Sequence, residues 1–202
     1  MDVVKKLGGG ALIVERAGSM KAEIVEKLSE AMTGPTGGLL VILEDDTKEI
    51  AIKYTDKVYD FEWVNDFAKA RNFSFSKATK DYIMWLDADD VILDEDIEKI
   101  KILKKILTPD IDMVMFKYNL NLDENGIPAL SYYRERIVKR SKGYKWISPI
   151  HEVIPRSGKV LYEDIAITHK KLPASDPKRN ITIFENMKKS FVYPAIHWFP
   201  FL

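Results

Sequence analysis

The stretch that most constrains this chain is Asp81-Tyr82-Ile83-Met84-Trp85-Leu86-Asp87-Ala88-Asp89-Asp90. Its apolar part, Tyr82 to Leu86, has strand length and strand composition and is bounded by charge, which predicts a buried strand. Three carboxylates follow within four residues, Asp87, Asp89 and Asp90. Like charges gathered at the end of a buried strand raise one another's pKa or take up a cation. A hard divalent cation with oxygen ligands, shared with a substrate phosphate, relieves that repulsion. The competing reading is an acidic helix start, with Asp87 to Asp96 leading into a helix from about Glu95 and Asp90 serving as a cap.

What precedes this stretch alternates between strand and helix signals. Ala11 to Val14 reads as a first strand after Gly8-Gly9-Gly10. Met20 to Met32 has helical spacing, with Ile24, Val25, Leu28 and Met32 on one face and Ser19 placed to cap it. Leu39 to Leu43 is continuously apolar, as a central parallel strand is, and Glu44-Asp45-Asp46 follows at its end. Thr47 to Tyr54 reads as a helix, Lys57 to Phe61 as a strand and Phe67 to Ala78 as a helix. Such alternation implies an α/β fold, a mostly parallel sheet with helices on both faces and ligands at the carboxyl ends of its strands. Glu44, Asp45 and Asp87 to Asp90 all fall at those ends.

The second half differs. Ile97 to Leu107 reads as a helix stopped by Pro109. Asp112 to Tyr118 reads as a strand, and Asp123-Glu124-Asn125-Gly126 is a turn signal between extended runs. Tyr132 to Arg140 alternates, Lys145 to Ile154 carries Trp146, His151 and Glu152, and Val160 to Ile167 is a further strand ending at His169. Asp176-Pro177 opens a helix running to about Lys189. Phe191 to Leu202 is an aromatic tail without helical period, apolar enough to predict packing on the chain or pairing with a second copy.

The 202 residues suffice for one ordinary core, so the expectation is a single domain. It divides into a nucleotide-binding half (11–93), a half that completes the metal and acceptor sites (94–189), and the tail (190–202). Lys+Arg and Asp+Glu both number 31, which argues against a nucleic-acid partner. With no cysteine there is neither disulfide framework nor thiol chemistry, which fits a cytoplasmic location. No apolar run has membrane-spanning length.

Phe61-Glu62-Trp63, Asp66-Phe67-Ala68, Ala70-Arg71-Asn72 and Tyr82 to Asp90, taken in order, resemble family 2 glycosyltransferases of the GT-A fold. Tyr133-Arg134-Glu135-Arg136, Trp146, His151-Glu152-Val153, Thr168-His169-Lys170-Lys171 and Asp176-Pro177-Lys178-Arg179-Asn180 extend the resemblance, which covers roughly Asp45 to Lys189. It implies a donor that is a nucleotide-diphosphate sugar, UDP-linked by preference, and a divalent metal, manganese or magnesium. It implies that Asp89 ligates the metal, that Asp87 contacts ribose or metal-bound water, and that His169 completes the coordination. The acceptor is open between a polysaccharide, a lipid carrier and a peptide.

Arg134 and Arg136, two apart on a strand, suit a diphosphate because the guanidinium fork binds two oxygens at once. Arg71 is placed to pair with Asp87 or to reach the nucleotide. Glu152 is the candidate base for an inverting transfer, and Trp146 offers either a wall for a sugar face or a core residue. Two departures from the family stand out. In the first, where relatives carry an Asn-Glu pair this chain reads Val14-Glu15-Arg16, and a glycine-bearing acidic turn is shortened to Glu44-Asp45-Asp46-Thr47; in the second, where relatives continue into a further helical region, this chain turns into its aromatic tail, a shortened C-terminus by that resemblance. These changes keep open a catalytically inactive module that binds a sugar nucleotide or a protein. A nucleotidyltransferase is disfavoured, because Gly8-Gly9-Gly10 precedes the first strand and no basic signature follows it.

Overall fold

The computed structural model describes residues 11–15, 38–43, 57–87, 90–169 and 178–189. The helices expected over Met20–Met32 and Thr47–Tyr54, the carboxylates Glu44, Asp45 and Asp89, the cap at Asp176 and the aromatic tail lie outside these residues.

The elements are β1 (Ala11–Glu15), β2 (Gly38–Leu43), β3 (Val58–Asp60), α1 (Phe67–Lys77), β4 (Tyr82–Asp87), β5 (Asp90–Val91), α2 (Asp94–Ile106), β6 (Met113–Leu122), β7 (Pro128–Lys139), β8 (Val160–His169) and α3 (Arg179–Lys189). The strands form one sheet in the order β3-β2-β1-β4-β7-β6-β8-β5. The pairings β2–β3, β1–β2 and β1–β4 are parallel, as the alternation of strand and helix signals requires. Beyond β4 the sheet becomes mixed: β4–β7, β6–β7 and β5–β8 are antiparallel, and β6–β8 is parallel. β4 is therefore the seam. It pairs with β1 on one side and with the later β7 on the other, so one sheet runs through both expected halves of the chain.

β4 also separates two layers of core. Tyr82, Met84 and Leu86 pack with Ile97, Ile100 and Leu103 of α2 and with Val114, Phe116, Ile165 and Ile167. Ile83 and Trp85 face the other way, toward Ala68 and Phe75 of α1, Met113, Met115, Val138 and Trp146. The alternation follows from the two-residue period of a strand, and the unbroken apolar run from burial on both faces.

Local chemistry explains where the elements begin and turn. Asp66 caps α1, its Oδ1 accepting from Lys69 N at 2.9 Å. The turn signal at 123–126 forms the β6–β7 hairpin, where Asp123 Oδ1 accepts from Asn125 N at 2.9 Å and Ile127 N at 2.8 Å. Gly126 takes the left-handed conformation there, with φ 79°. α2 begins at Asp94, and its cap position is Leu93, which makes no side-chain cap bond. The helix-cap role expected of Asp90 is thus corrected: Asp90 lies in β5, paired with His169 of β8. Among the described residues no helix is long and apolar enough to cross a membrane.

Candidate functional site

Backbone register brings the carboxyl ends of the parallel strands to one edge of the sheet. Glu15 is opposite Asp87 across β1–β4, and Leu43 is opposite Asp60 across β2–β3. This edge is where open α/β sheets bind ligands. Glu44 and Asp45 follow the end of β2 in the sequence, and Asp89 follows the end of β4.

α1 sends Arg71 across this edge. Its Nη2 donates to Asp87 Oδ1 at 2.6 Å and its Nε to Glu152 Oε1 at 2.8 Å. The guanidinium lies 4.7 Å from the ring centres of both Trp85 and Trp146, held by cation–π contact as well as by charge. The Arg71 side chain is only 7% exposed, Glu152 12% and Asp87 26%, so the triad is largely shielded and its outer carboxylate still meets solvent. Of the two roles weighed for Arg71, the geometry shows the pairing with Asp87. Burial pushes the Asp87 carboxyl up, but the charges of Arg71, Arg136 and Arg134 and the bond from Arg71 outweigh it. Asp87 is held below the ordinary carboxylate range and stays an anionic oxygen donor.

The next residue of α1 supports the same wall. Asn72 Oδ1 accepts from Trp146 N at 3.0 Å and its Nδ2 donates to Trp146 O at 2.9 Å. Trp146 then stands edge-on to Trp85, with ring centres 4.7 Å apart. Trp146 is enclosed, so it is a core residue that backs Arg71 and not a wall for a sugar face. Asn72 was legible only as part of the Ala70-Arg71-Asn72 run, since its partner lies on a loop more than seventy residues away.

Arg134 and Arg136 both approach Trp85, at 5.3 Å and 4.0 Å from its ring centre, but their settings differ. Arg134 reaches Glu135 Oε1 at 3.3 Å and the Glu152 carbonyl at 3.4 Å, and its buried Nε has no hydrogen-bond partner among the described residues. Arg136 is fully buried with Asp90, its Nη1 donating to Asp90 Oδ2 at 2.8 Å. The phosphate-binding role expected of Arg136 needs correction on this point, because an enclosed guanidinium paired with a carboxylate does not meet a donor arriving from solvent.

Asp87 and His169 end their strands beside the acidic turn, and β5 sets Asp90 directly opposite His169. Asp90 Oδ1 is buried, 3.8 Å from His169 Nδ1. Carboxylate oxygens suit manganese or magnesium, and an imidazole beside them favours manganese over magnesium. Among the described residues no group of three candidate ligands gathers; Asp89, the third expected ligand, is outside them.

The comparisons agree with this architecture. Glycosyl transferase family 2 matches residues 44–163. No curated protein matches the chain. Glucosyl-3-phosphoglycerate synthase from Mycobacterium tuberculosis, solved with Mn2+ and UDP-glucose, superposes at TM-score 0.60 and 12% identity, covering 96% of this chain and 83% of that one. The same enzyme with phosphoglyceric acid also present gives TM-score 0.62 at 11% identity, covering 96% and 84%. S. aureus TarS gives TM-score 0.52 at 13% identity, covering 89% of this chain but 39% of its own. At these identities the likeness is one of fold, and the fold is GT-A. With the family match spanning more than half of the 202 residues and the acidic turn closing its central strand, the chain belongs to glycosyl transferase family 2.

Proposed function

We propose that this chain transfers a sugar from a nucleotide-diphosphate donor, UDP-linked by preference, to an acceptor of unassigned chemistry, with metal assistance and inversion. The observation that carries the reading is Asp87 at the carboxyl end of the central parallel strand, paired with Arg71 at 2.6 Å and with the charge of Arg134 near it. Mn2+ and UDP-glucose in the M. tuberculosis synthase, which shares the fold, support this donor and this class of metal.

Asp87, Asp89 and His169 would hold the metal, with Glu44 and Asp45 toward the nucleotide. When bound, the metal supplies neutralisation of the leaving diphosphate. Arg134, whose side chain is part-exposed, adds a cationic group on the same side. Arg71 orients both Asp87 and Glu152. Glu152 Oε1 is engaged by Arg71, and its second oxygen takes the acceptor proton.

The same Arg71–Glu152 bond favours a second reading. A carboxylate bonded to a guanidinium is a weaker base, so the chain would bind the donor without transferring its sugar. One experiment separates the two. The protein is titrated with UDP-sugars with and without manganese, and UDP release is followed with candidate acceptors. Manganese-dependent binding with release supports the enzyme; binding without release supports the inactive module; no binding of any nucleotide sugar overturns both.

A further inference from the structure

The pair Arg136–Asp90 is the least expected feature of the interior. Both side chains are 0% exposed, yet Arg136 Nε and Nη2 have no hydrogen-bond partner among the described residues. A buried donor left without a partner is destabilising, and well-packed apolar residues commonly replace buried ion pairs at no loss of stability. Stability alone does not account for the pair.

Its geometry points elsewhere. Asp90 Oδ2 accepts two hydrogen bonds, from Arg136 Nη1 at 2.8 Å and from the Asp87 backbone N–H at 3.0 Å. Asp87 ends β4 and Asp90 begins β5, so this single oxygen ties the end of one strand to the start of the next. Arg136 reaches it through an irregularity of the sheet. Val114 pairs with Ile137 and Met115 with Glu135, which leaves Arg136 as an extra residue in β7. A bulge of this kind re-aims the side chain it carries. The guanidinium is then held between Trp85, at 4.0 Å, and Tyr118, at 4.4 Å. On the other side, β5 binds Asp90 to His169.

We propose that Arg136 and Asp90 are positioning residues: a buried brace, anchored by the β7 bulge, that fixes the backbone at Asp87, the end of β4, so that the Asp87 carboxylate is presented in one arrangement to the donor. The assignment rests on the donor reading above for what Asp87 binds. It does not depend on that reading for the brace itself.

The test is the double variant Asp90→Leu/Arg136→Met, which removes the pair without leaving a lone buried charge. It is expected to melt at or above the temperature of the parent. Amide exchange at Asp87 should accelerate about 10- to 100-fold, as loss of a hydrogen bond to a charged group implies, while Met84 and Trp85 in the same strand stay protected. Manganese-dependent UDP affinity should fall about 10- to 100-fold, the usual effect of removing a partner that orients a ligand. Unchanged exchange at Asp87, or unchanged UDP affinity once exchange has risen, overturns the proposal. Should the double variant fail to fold, Arg136→Lys keeps Asp90 and the charge, and the same readouts apply: smaller losses in both support the brace, and parental values in both overturn it. If the parent binds no UDP with or without manganese, the donor reading fails and exchange at Asp87 alone judges the brace.

Discussion

Alternate residues of β4 build two unlike regions. Tyr82, Met84 and Leu86 face α2 and an interior of aliphatic and aromatic side chains. Ile83 and Trp85 face α1, where the packing includes the guanidiniums of Arg71, Arg134 and Arg136 against Trp85 itself. Both regions are densely buried, but they are held by different forces. The α2 side depends on area removed from water and is indifferent to which apolar group fills it, within volume. The α1 side depends on charges whose desolvation is offset only while each partner is present. The difference teaches that in this sheet the face that holds the buried charges is the face whose stability is conditional.

Substitutions on the two faces should therefore separate stability from binding. The largest loss of stability is expected for Phe116→Ala on the α2 side, about 4 kcal/mol, since Phe116 is fully buried in the apolar cluster. Urea unfolding measures it, and the folded protein should keep the parental UDP affinity; a weakened site would break the separation of the faces. Next comes Arg71→Met, about 3 kcal/mol, because Asp87 and Glu152 both lose their partner. Here calorimetry should find UDP binding lost along with stability, and retained binding would place Arg71 outside the site.

Glu152→Gln sharpens the comparison further. The amide oxygen still accepts from Arg71, so the expected cost is about 1 kcal/mol, whereas turnover should fall about 10²–10⁴-fold with UDP affinity kept. Near-parental turnover on the same sample would reject the base role. The smallest effect is in acid. The folded pKa of Asp87 is lowered, so its contribution is complete above the unfolded value near 3.9 and is lost as the pH falls through the folded value. Asp87→Asn should flatten the stability profile below about pH 4 and leave its shape above pH 5 unchanged. Equal acid limbs in the parent and Asp87→Asn would show that the arginines do not hold this carboxylate.

Much of the architecture was local enough to read. The apolar runs at Tyr82, Leu39 and Val160, the periodic segments that became α1 and α2, and the turn at Asp123 to Gly126 stand where expected, with ends shifted by a few residues. The later strands β6 and β7 run longer than their patterns indicated, because hairpin pairing extends them through polar positions such as Asn119 and Ser131. β5 was not foreseen at all: two residues carry no periodicity, and only pairing with the end of β8 makes them a strand.

What the sequence determined by itself is therefore most of the longer elements, the edge at which the parallel strands end and the acidic residues that follow β4. These depend on neighbours a few positions apart, where strand and helix periods and turn chemistry act. Tertiary structure alone decided which charges meet. Arg71 and Glu152 are 81 residues apart in the chain, and Arg136 and Asp90 are 46 apart. Their pairing depends on β7 inserting beside β4 and on the extra residue in its register with β6. That slip left Arg134 beside the site and carried Arg136 into the interior, a division between two arginines of one strand that their spacing of two could not announce.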